Sequence, residues 1–307
     1  MGKEKLLFDA HFEADDLVND FKTIVGKPTP VPHTLLIAIL NTAWQMIASV
    51  RYAYDDKDIN EFIELISETH IYGPRLIILD LFPWLNKILP PFLIDFLFKH
   101  KIQADLSDKI KAYFQKHIDN HMKDLCEENC KDYIDAYLLE MEKQKDDPNS
   151  TLSIEDLKFC LSDLFEGSSE TTSLTLHWAI LYLARYPNVQ KKLQAEIDEG
   201  SWVFGESYVV HHDPKYWDSP NELRPERFLD SNGKFVAPSK AFVPFGYGKR
   251  FCIGENIGRM QLFVFMTKLV QNFQFDCPPG ENITLEGVIS PFFRPPKGSP
   301  KVLITLR

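Results

Sequence analysis

The sequence predicts a mainly α-helical protein with a small β portion gathered towards its C-terminal end. Three observations carry that prediction. Apolar residues recur at helical spacing through the first two thirds of the chain. One long helix is bracketed by residues that start and stop helices, Ser153 and Pro187. Past Glu199-Gly200 the character changes to Pro, Gly, Asn and aromatic residues with short strand-like runs.

The elements follow in order. Leu35 to Val50 is a core helix that ends before the polar Tyr54-Asp55-Asp56-Lys57, and Asp58 to His70 is a second, amphipathic one. Phe82-Pro83-Trp84 through Pro90-Pro91-Phe92 reads as a loop with large apolar groups left exposed or half-buried. Lys101 to Met122 places Ile102, Leu106, Ile110, Tyr113, Phe114 and Ile118 on one helical face. A polar loop, Lys143 to Ser150, leads to Ser153. Asp156 follows three residues later in a capping-box pattern, and that helix runs to about Arg185 because Pro187 would interrupt it. Val189 to Ile197 is helical again. Trp202 to Phe204, Tyr208 to Val210, Ile283 to Leu285 and Val302 to Leu306 are β-prone, and Gly254 to Phe273 is the last helix. The acid pairs Asp15-Asp16 and Asp55-Asp56 read as solvated caps or turns, and no internal repeat is visible.

Composition narrows the functional classes. With 307 residues, 44% of them hydrophobic, the chain can bury a substantial core at the upper end of one domain. A net charge of -10 argues against a broad electrostatic grip on nucleic acid or anionic lipid. Five cysteines, an odd number without a dense framework, point to a reducing compartment. No apolar segment follows Met1-Gly2-Lys3-Glu4-Lys5. The windows Thr34 to Val50 and Leu76 to Phe98 are interrupted by polar residues or prolines, short of the roughly 20 apolar residues of a membrane span. The expectation is a chain without a membrane anchor of its own.

The sharpest chemistry lies in Phe245-Gly246-Tyr247-Gly248-Lys249-Arg250-Phe251-Cys252-Ile253-Gly254. Two loop glycines permit tight turns and close approach of backbone to a flat ligand. A basic pair beside a single cysteine favours a thiolate, and a helix starting just afterwards aims its amides at the sulfur. A lone cysteine in a turn is ordinarily a packing residue. Here ten consecutive positions resemble F-G-x-G-x-R-x-C-x-G, the haem loop of the cytochrome P450 family. The resemblance implies that Cys252 is the axial thiolate of haem b, pushing electron density onto iron and favouring O–O cleavage. It further implies that Arg250 pairs with a haem propionate, that Phe245 packs on the porphyrin beside the sulfur, and that Gly246, Gly248 and Gly254 shape the loop.

Two more runs extend the likeness. Gly167-Ser168-Ser169-Glu170-Thr171-Thr172, within the long helix, resembles A/G-G-x-D/E-T-T. There a small residue leaves room for oxygen, and Glu170 with Thr171 would relay protons to it. A Ser/Thr cluster can otherwise merely bend or solvate a helix. Ser168 departs from the family's second glycine and should narrow the groove. His211-His212-Asp213-Pro214-Lys215-Tyr216-Trp217 and Pro225-Glu226-Arg227-Phe228 resemble the H-x-D-P-x-x-W and P-E-R-F elements of the family's meander, in which Arg227 would join a buried Glu–Arg–Arg network. Phe82-Pro83-Trp84-Leu85, Leu138-Leu139-Glu140-Met141, Val243-Pro244 and Glu255 resemble the microsomal, foreign-compound-metabolising branch of animal P450s.

By that resemblance the chain is an incomplete P450 fold. It forms one partial domain over 1–307, helical over 1–199 and carrying the meander, cysteine loop, last helix and strands over 200–307. The implied activity is insertion of one oxygen atom of O2 into a small, lipophilic organic substrate, with electrons from NADPH through NADPH–cytochrome P450 reductase. The implied location is the cytosolic face of the endoplasmic reticulum membrane, touched through apolar loops such as Phe82 to Phe98. Two family blocks are missing from the expected pattern: the N-terminal portion, and the interval near Glu199-Gly200 that holds the Glu-x-x-Arg helix. No arginine of the chain has a glutamate three positions before it. Arg227 is therefore expected to be a buried cation lacking its carboxylate, unless it reaches water. The competing reading is a catalytically silent product without stable haem, acting at most through partner contacts. A third constellation, His117 and His121 with Cys126 and Cys130, has spacing compatible with zinc, but its charged setting reads as an ordinary helix surface.

Overall fold

Ten α-helices and one three-stranded sheet make up the regular structure among the described residues. The computed structural model describes residues 3–199, 214–220, 222–236, 239, 241–246, 251–288 and 295–307. The helices are α1 (Lys3–Lys22), α2 (Thr34–Ala48), α3 (Lys57–Leu81), α4 (Leu85–Ile88), α5 (Pro91–Phe98), α6 (His100–Asp124), α7 (Tyr133–Lys143), α8 (Ile154–Arg185), α9 (Pro187–Glu199) and α10 (Glu255–Asn272). Strands β1 (Pro28–Pro30), β2 (Phe273–Asp276) and β3 (Lys301–Leu306) form an antiparallel sheet in the order β1-β3-β2. This is the mainly α fold with a small β portion that the sequence predicts. The expected strands at 202–204 and 208–210 lie outside the described residues.

The chain divides into two compact units, Leu40–Gly167 and Gly2–Ile39 with Ser168–Arg307. The first is organised around Trp44. Its buried ring meets Phe165 at 4.1 Å and His117 at 4.7 Å between centroids, with Tyr52, Tyr113 and Phe62 at 5.6 to 5.8 Å. Tilted and edge-on aromatic packing of this kind adds to simple area burial. Two of the polar side chains in this core are bonded, while the buried Trp44 indole N–H has no partner among the described residues. The Asn41 amide donates to Tyr52 O at 2.8 Å and accepts from Tyr52 N at 2.9 Å, which fixes the turn out of α2. His117 meets the Tyr52 hydroxyl at 3.2 Å. Burial of this imidazole, reinforced by the Lys116 charge, lowers its pKa from 6.5 to about 4, so it stays neutral.

Helix α3 is longer than its sequence suggests. It was expected to end at His70, yet it continues through Gly73 and Pro74 to Leu81. Proline in a helix interior removes one ladder bond and crowds the preceding turn. Here the flanking segments are pinned by buried Ile59, Phe62 and Ile63 on one side and by Leu79 on the other. Asp56 caps α3, accepting from Asp58 N at 2.8 Å, so one of the acid pairs is indeed a cap. The capping box of α8 is present as well: Asp156 N donates to Ser153 Oγ at 3.1 Å, and the helix stops at Arg185, before Pro187.

In the second unit α1 and α9 pack on α10, and α9 also packs on the sheet. The buried Gln190 amide ties α9 to β2, donating to Phe275 O at 2.8 Å and accepting from Phe275 N at 2.9 Å. Two expectations fail here. Asp15-Asp16 is no turn but lies inside α1, whose buried side is Ala10, Ala14, Leu17, Val18 and Phe21; Asp15 faces outward and pairs with Lys268 at 2.5 Å. Ile283 to Leu285 forms no strand. Thr284 Oγ1 accepts from Glu286 N at 3.2 Å, and this local side-chain bond turns the backbone away from a ladder.

The neutral His117 sets an acid limit. Between pH 6.5 and about 4 the unfolded chain takes up a proton that the folded chain refuses, so stability should fall across that window by about 3 kcal/mol. Urea unfolding of the wild type and of His117→Phe at pH 7 and pH 4.5 checks this, the variant showing the shallower acid loss. In the same assay Trp44→Ala is expected to cost about 3 to 5 kcal/mol at either pH.

Candidate functional site

The cysteine loop is held by backbone. Gly246 adopts φ +77°, a region open to glycine, and its N–H donates to Val243 O at 3.0 Å, closing a turn. Cys252 N then donates to Phe245 O at 2.9 Å, bringing the two ends of the loop together. Helix α10 starts directly behind, with Gly258 N donating to Gly254 O at 2.8 Å. Gly254 is its N-cap and offers no side-chain cap, and the first amide of α10, Glu255 N, turns back to Cys252 O at 3.4 Å. A Cβ built on Gly254 would lie 3.9 Å from Cys252 Sγ, which sets the sulfur beside that helix start. The Cys252 thiol is exposed and has no hydrogen-bond partner among the described residues. Its neighbours Phe251 and Ile253 are 48% and 95% exposed. An accessible sulfur at the positive end of a helix, edged by exposed apolar side chains, fits the axial ligand of a flat, largely apolar iron group. Gly248 and Arg250 lie outside the described residues.

One arrangement in this loop was missed from sequence. The Arg259 guanidinium stacks 4.7 Å from the centre of the Phe245 ring and is itself held by Glu255 at 2.7 Å. The signal was available, since Glu255 and Arg259 stand four residues apart at the start of a helix. Nothing in the sequence tied that pair to Phe245.

On α8, Asp163, Gly167 and Thr171 are exposed and follow each other at four-residue spacing. A Cβ added to Gly167 would meet nothing within 4 Å. Of the two threonines, Thr171 is exposed and Thr172 buried, while Glu170 is half-buried. The Thr175 hydroxyl donates to Thr171 O at 2.7 Å and the Ser173 hydroxyl to Glu170 O at 3.3 Å. Glu166, just before the run, accepts from His70 Nε2 of α3 at 3.0 Å.

The meander corrects another expectation. His211, His212 and Asp213 lie outside the described residues, but Trp217 is buried against Phe228 and Phe242 at 6.1 and 6.3 Å. Arg227, in the short 3-10 turn Pro225–Phe228, is half-buried and not deprived of acceptors. Its guanidinium donates to Asp218 O at 2.9 Å, Arg224 O at 3.0 Å, Glu222 O at 3.2 Å and Ser219 O at 3.4 Å. The expected unpaired cation is caged by four backbone carbonyls, whose dipoles take over the work of a carboxylate.

The zinc constellation is not assembled. His117 is engaged with Tyr52, while His121 uses both nitrogens, Nδ1 with His117 O at 2.8 Å and Nε2 with Asp132 at 2.9 Å. The Asp132 bond raises the His121 pKa. Cys126 and Cys130 flank the turn Glu127–Asn129 and are exposed. His121, Asp132 and Asp135 do converge within 4.8 Å, but as helix-capping bonds: Asp132 accepts from Asp135 N at 3.1 Å and Asp135 from Lys131 N at 2.9 Å.

A family model described as cytochrome P450 matches residues 10–201 and 197–298. The chain belongs to the cytochrome P450 family. It is similar to cytochrome P450 2L1 of Panulirus argus, 33% identical over 93% of this chain and 69% of the relative. Cytochrome P450 2J2 of Homo sapiens is 30% identical over 93% of this chain and 66% of its own length, and cytochrome P450 2D28 of Mesocricetus auratus is 30% identical over 92% and 66%. The chain thus spans about two thirds of the length of these P450s. The alignment with the Panulirus protein runs over 342 positions, more than the 307 residues present, so the relative carries positions without a counterpart here. The family match itself breaks in two at 197–201, the place where the Glu-x-x-Arg helix was expected to be missing. P450s as a family are haem-thiolate monooxygenases that use haem iron and electrons from NADPH through a reductase.

The carbonyl cage makes a testable statement about the meander. Arg227→Ala should strip amide exchange protection from Glu222, Leu229 and their neighbours while leaving α2 and α6 unchanged. Arg227→Lys should restore little, because one ammonium cannot serve four carbonyls spread around a planar fork.

Proposed function

We propose that this P450 is a haem-thiolate monooxygenase that inserts one oxygen atom of O2 into a small lipophilic substrate, with Cys252 as the ligand of haem b iron. The observation that carries this reading is the exposed Cys252 thiol, without a hydrogen-bond partner among the described residues. It is held beside the uncapped start of α10 by the Cys252 N to Phe245 O bond of 2.9 Å. The haem, when bound there, supplies the activation of dioxygen.

The chain's own residues do the rest. The first amides of α10 stabilise negative charge on the sulfur. Phe245, braced from one side by Arg259, offers its ring to the porphyrin. Gly246 holds the loop in a conformation that a side chain would strain, Gly254 keeps the sulfur's flank clear, and Gly248 and Arg250 take loop-shaping and propionate-binding roles from their places in the motif. On α8 the bare Gly167 leaves space for a ligand. Thr171 holds a proton at its exposed hydroxyl, and the Glu170 carboxylate returns protons to it.

The proposal extends to one family domain over 1–307, with its helical part in 1–199. It includes electron supply by NADPH–cytochrome P450 reductase and residence at the cytosolic face of the endoplasmic reticulum membrane. No described helix is long and apolar enough to cross a membrane. Support for surface contact comes from α3 to α5, where Leu81, Phe82, Trp84, Ile88, Phe92, Phe96 and Leu97 are exposed near Lys87, Lys99 and Lys101. A second reading, a silent protein without stable haem, is favoured by the break in the family match at 197–201.

A reduced carbon-monoxide difference spectrum of protein expressed with ample haem separates the two. The proposal expects a red-shifted Soret band that Cys252→Ala abolishes. No band, or a band that the variant keeps, selects the silent reading.

A further inference from the structure

Two phenols and an imidazole in the core of the first compact unit have no part in the oxygen chemistry proposed above. They form a chain. The Tyr113 hydroxyl donates to the Tyr52 oxygen at 3.1 Å, and the Tyr52 hydroxyl lies 3.2 Å from His117 Nε2. All three belong to residues 40–167, as does Trp44, whose ring centre is 4.7 Å from that of His117 and 5.6 Å from that of Tyr52. Tyr52 accepts from Tyr113, so its own proton is left for His117. Burial, reinforced by the Lys116 charge, lowers the His117 pKa to about 4, and burial raises that of Tyr52 to about 12. The imidazole is therefore neutral with Nε2 as an acceptor, and the phenol keeps its proton.

Packing does not require these polar groups. Phenylalanine at 52 and 113 and leucine at 117 would fill much the same space with no hydroxyl or imidazole to desolvate. The chain is also held in place: Asn41 bonds the backbone of Tyr52 at 2.8 and 2.9 Å, and Tyr113 stacks on Phe62 at 4.5 Å. A buried phenol fixed against a neutral imidazole is arranged to give up an electron and a proton together. An oxidised phenol is a far stronger acid than any imidazolium, so its proton moves the short way to Nε2 and a neutral radical remains. Trp44 stands in contrast. Its buried indole N–H has no partner among the described residues, so an oxidised Trp44 keeps its proton and its positive charge, and relaxes by taking an electron from Tyr52.

We infer that Tyr52 and His117 form a proton-coupled redox site that yields one electron to a high-potential one-electron oxidant. In that step the Tyr52 hydroxyl loses an electron to the oxidant and its proton to His117 Nε2, giving a neutral phenoxyl radical and an imidazolium. A one-electron reductant of the thiol or ascorbate class returns the electron, and the proton goes back from Nε2 to the phenol oxygen. The site lies within one compact unit and does not rest on the reading of the chain as a monooxygenase.

The oxidant used as probe is photogenerated tris(bipyridine)ruthenium(III), acting on the full chain at neutral pH, and freeze-quench electron paramagnetic resonance reads the product. The expected product is a neutral tyrosyl radical with a proton coupling that disappears in deuterium oxide. It should also carry a nitrogen coupling that changes when histidine is labelled with the heavy nitrogen isotope. Tyr52→Phe should remove this signal and Tyr113→Phe should keep it. His117→Phe should slow its formation by about 100-fold, the loss of a positioned proton acceptor. A histidine-coupled radical that survives Tyr52→Phe overturns the inference, and so does an unchanged rate of formation in His117→Phe. A wild type that gives no tyrosyl radical, or one without histidine coupling, overturns it as well. Should the variants lose their melting transitions, the labelled wild type decides: histidine coupling supports the site, and its absence overturns it.

Discussion

The bond from Cys252 N–H to Phe245 O is worth only about 1 kcal/mol net in free energy, yet the placement of the sulfur depends on it. It joins the two ends of a loop whose middle is built from glycine and charged residues, which by themselves would leave the thiol wandering over many conformations. With the ends joined, the sulfur has one position relative to the first turn of α10. The acceptor is in turn steadied by a side-chain relay, since Glu255 holds Arg259 and Arg259 covers one face of Phe245. The geometry of the thiol is thus set by contacts within about fifteen residues of sequence.

Several of the polar groups in the interior are bonded members of a pair. Asn41 with Tyr52, Gln190 with Phe275 and His121 with Asp132 each join two segments that apolar packing alone would let slide.

What could be read from the sequence, and what could not, divides along the range of the forces involved. The boundaries of α8 were legible because Ser153, Asp156 and Pro187 act on their nearest neighbours. The cysteine loop was legible because glycine, a basic pair and a cysteine in fixed order leave few alternatives. The extension of α3 past Pro74 was not, because it is imposed by the burial of Leu79, a tertiary effect that outweighs a local break. Helix α1 was obscured by Asp15-Asp16: an acid pair looks like a turn until Lys268, 253 residues away in sequence, is seen across from it. The fate of Arg227 was hidden for a related reason. A search for its partner among side chains could not find acceptors that belong to the backbone.

That last point bears on how this stretch of chain tolerates change. A cation paired with a glutamate is only as secure as that glutamate, and one substitution at the partner strands it. A cation paired with the carbonyls of residues 218, 219, 222 and 224 has partners that every amino acid carries. Arg227 does not depend on the side-chain identity at those four places for its acceptors, although the Arg224–Asp218 pair at 2.6 Å and the positive φ of Ser219 help to shape the turn that presents them. Arg227 has exchanged dependence on another residue's identity for dependence on the path of the main chain, a liability that mutation can reach only by bending the turn itself.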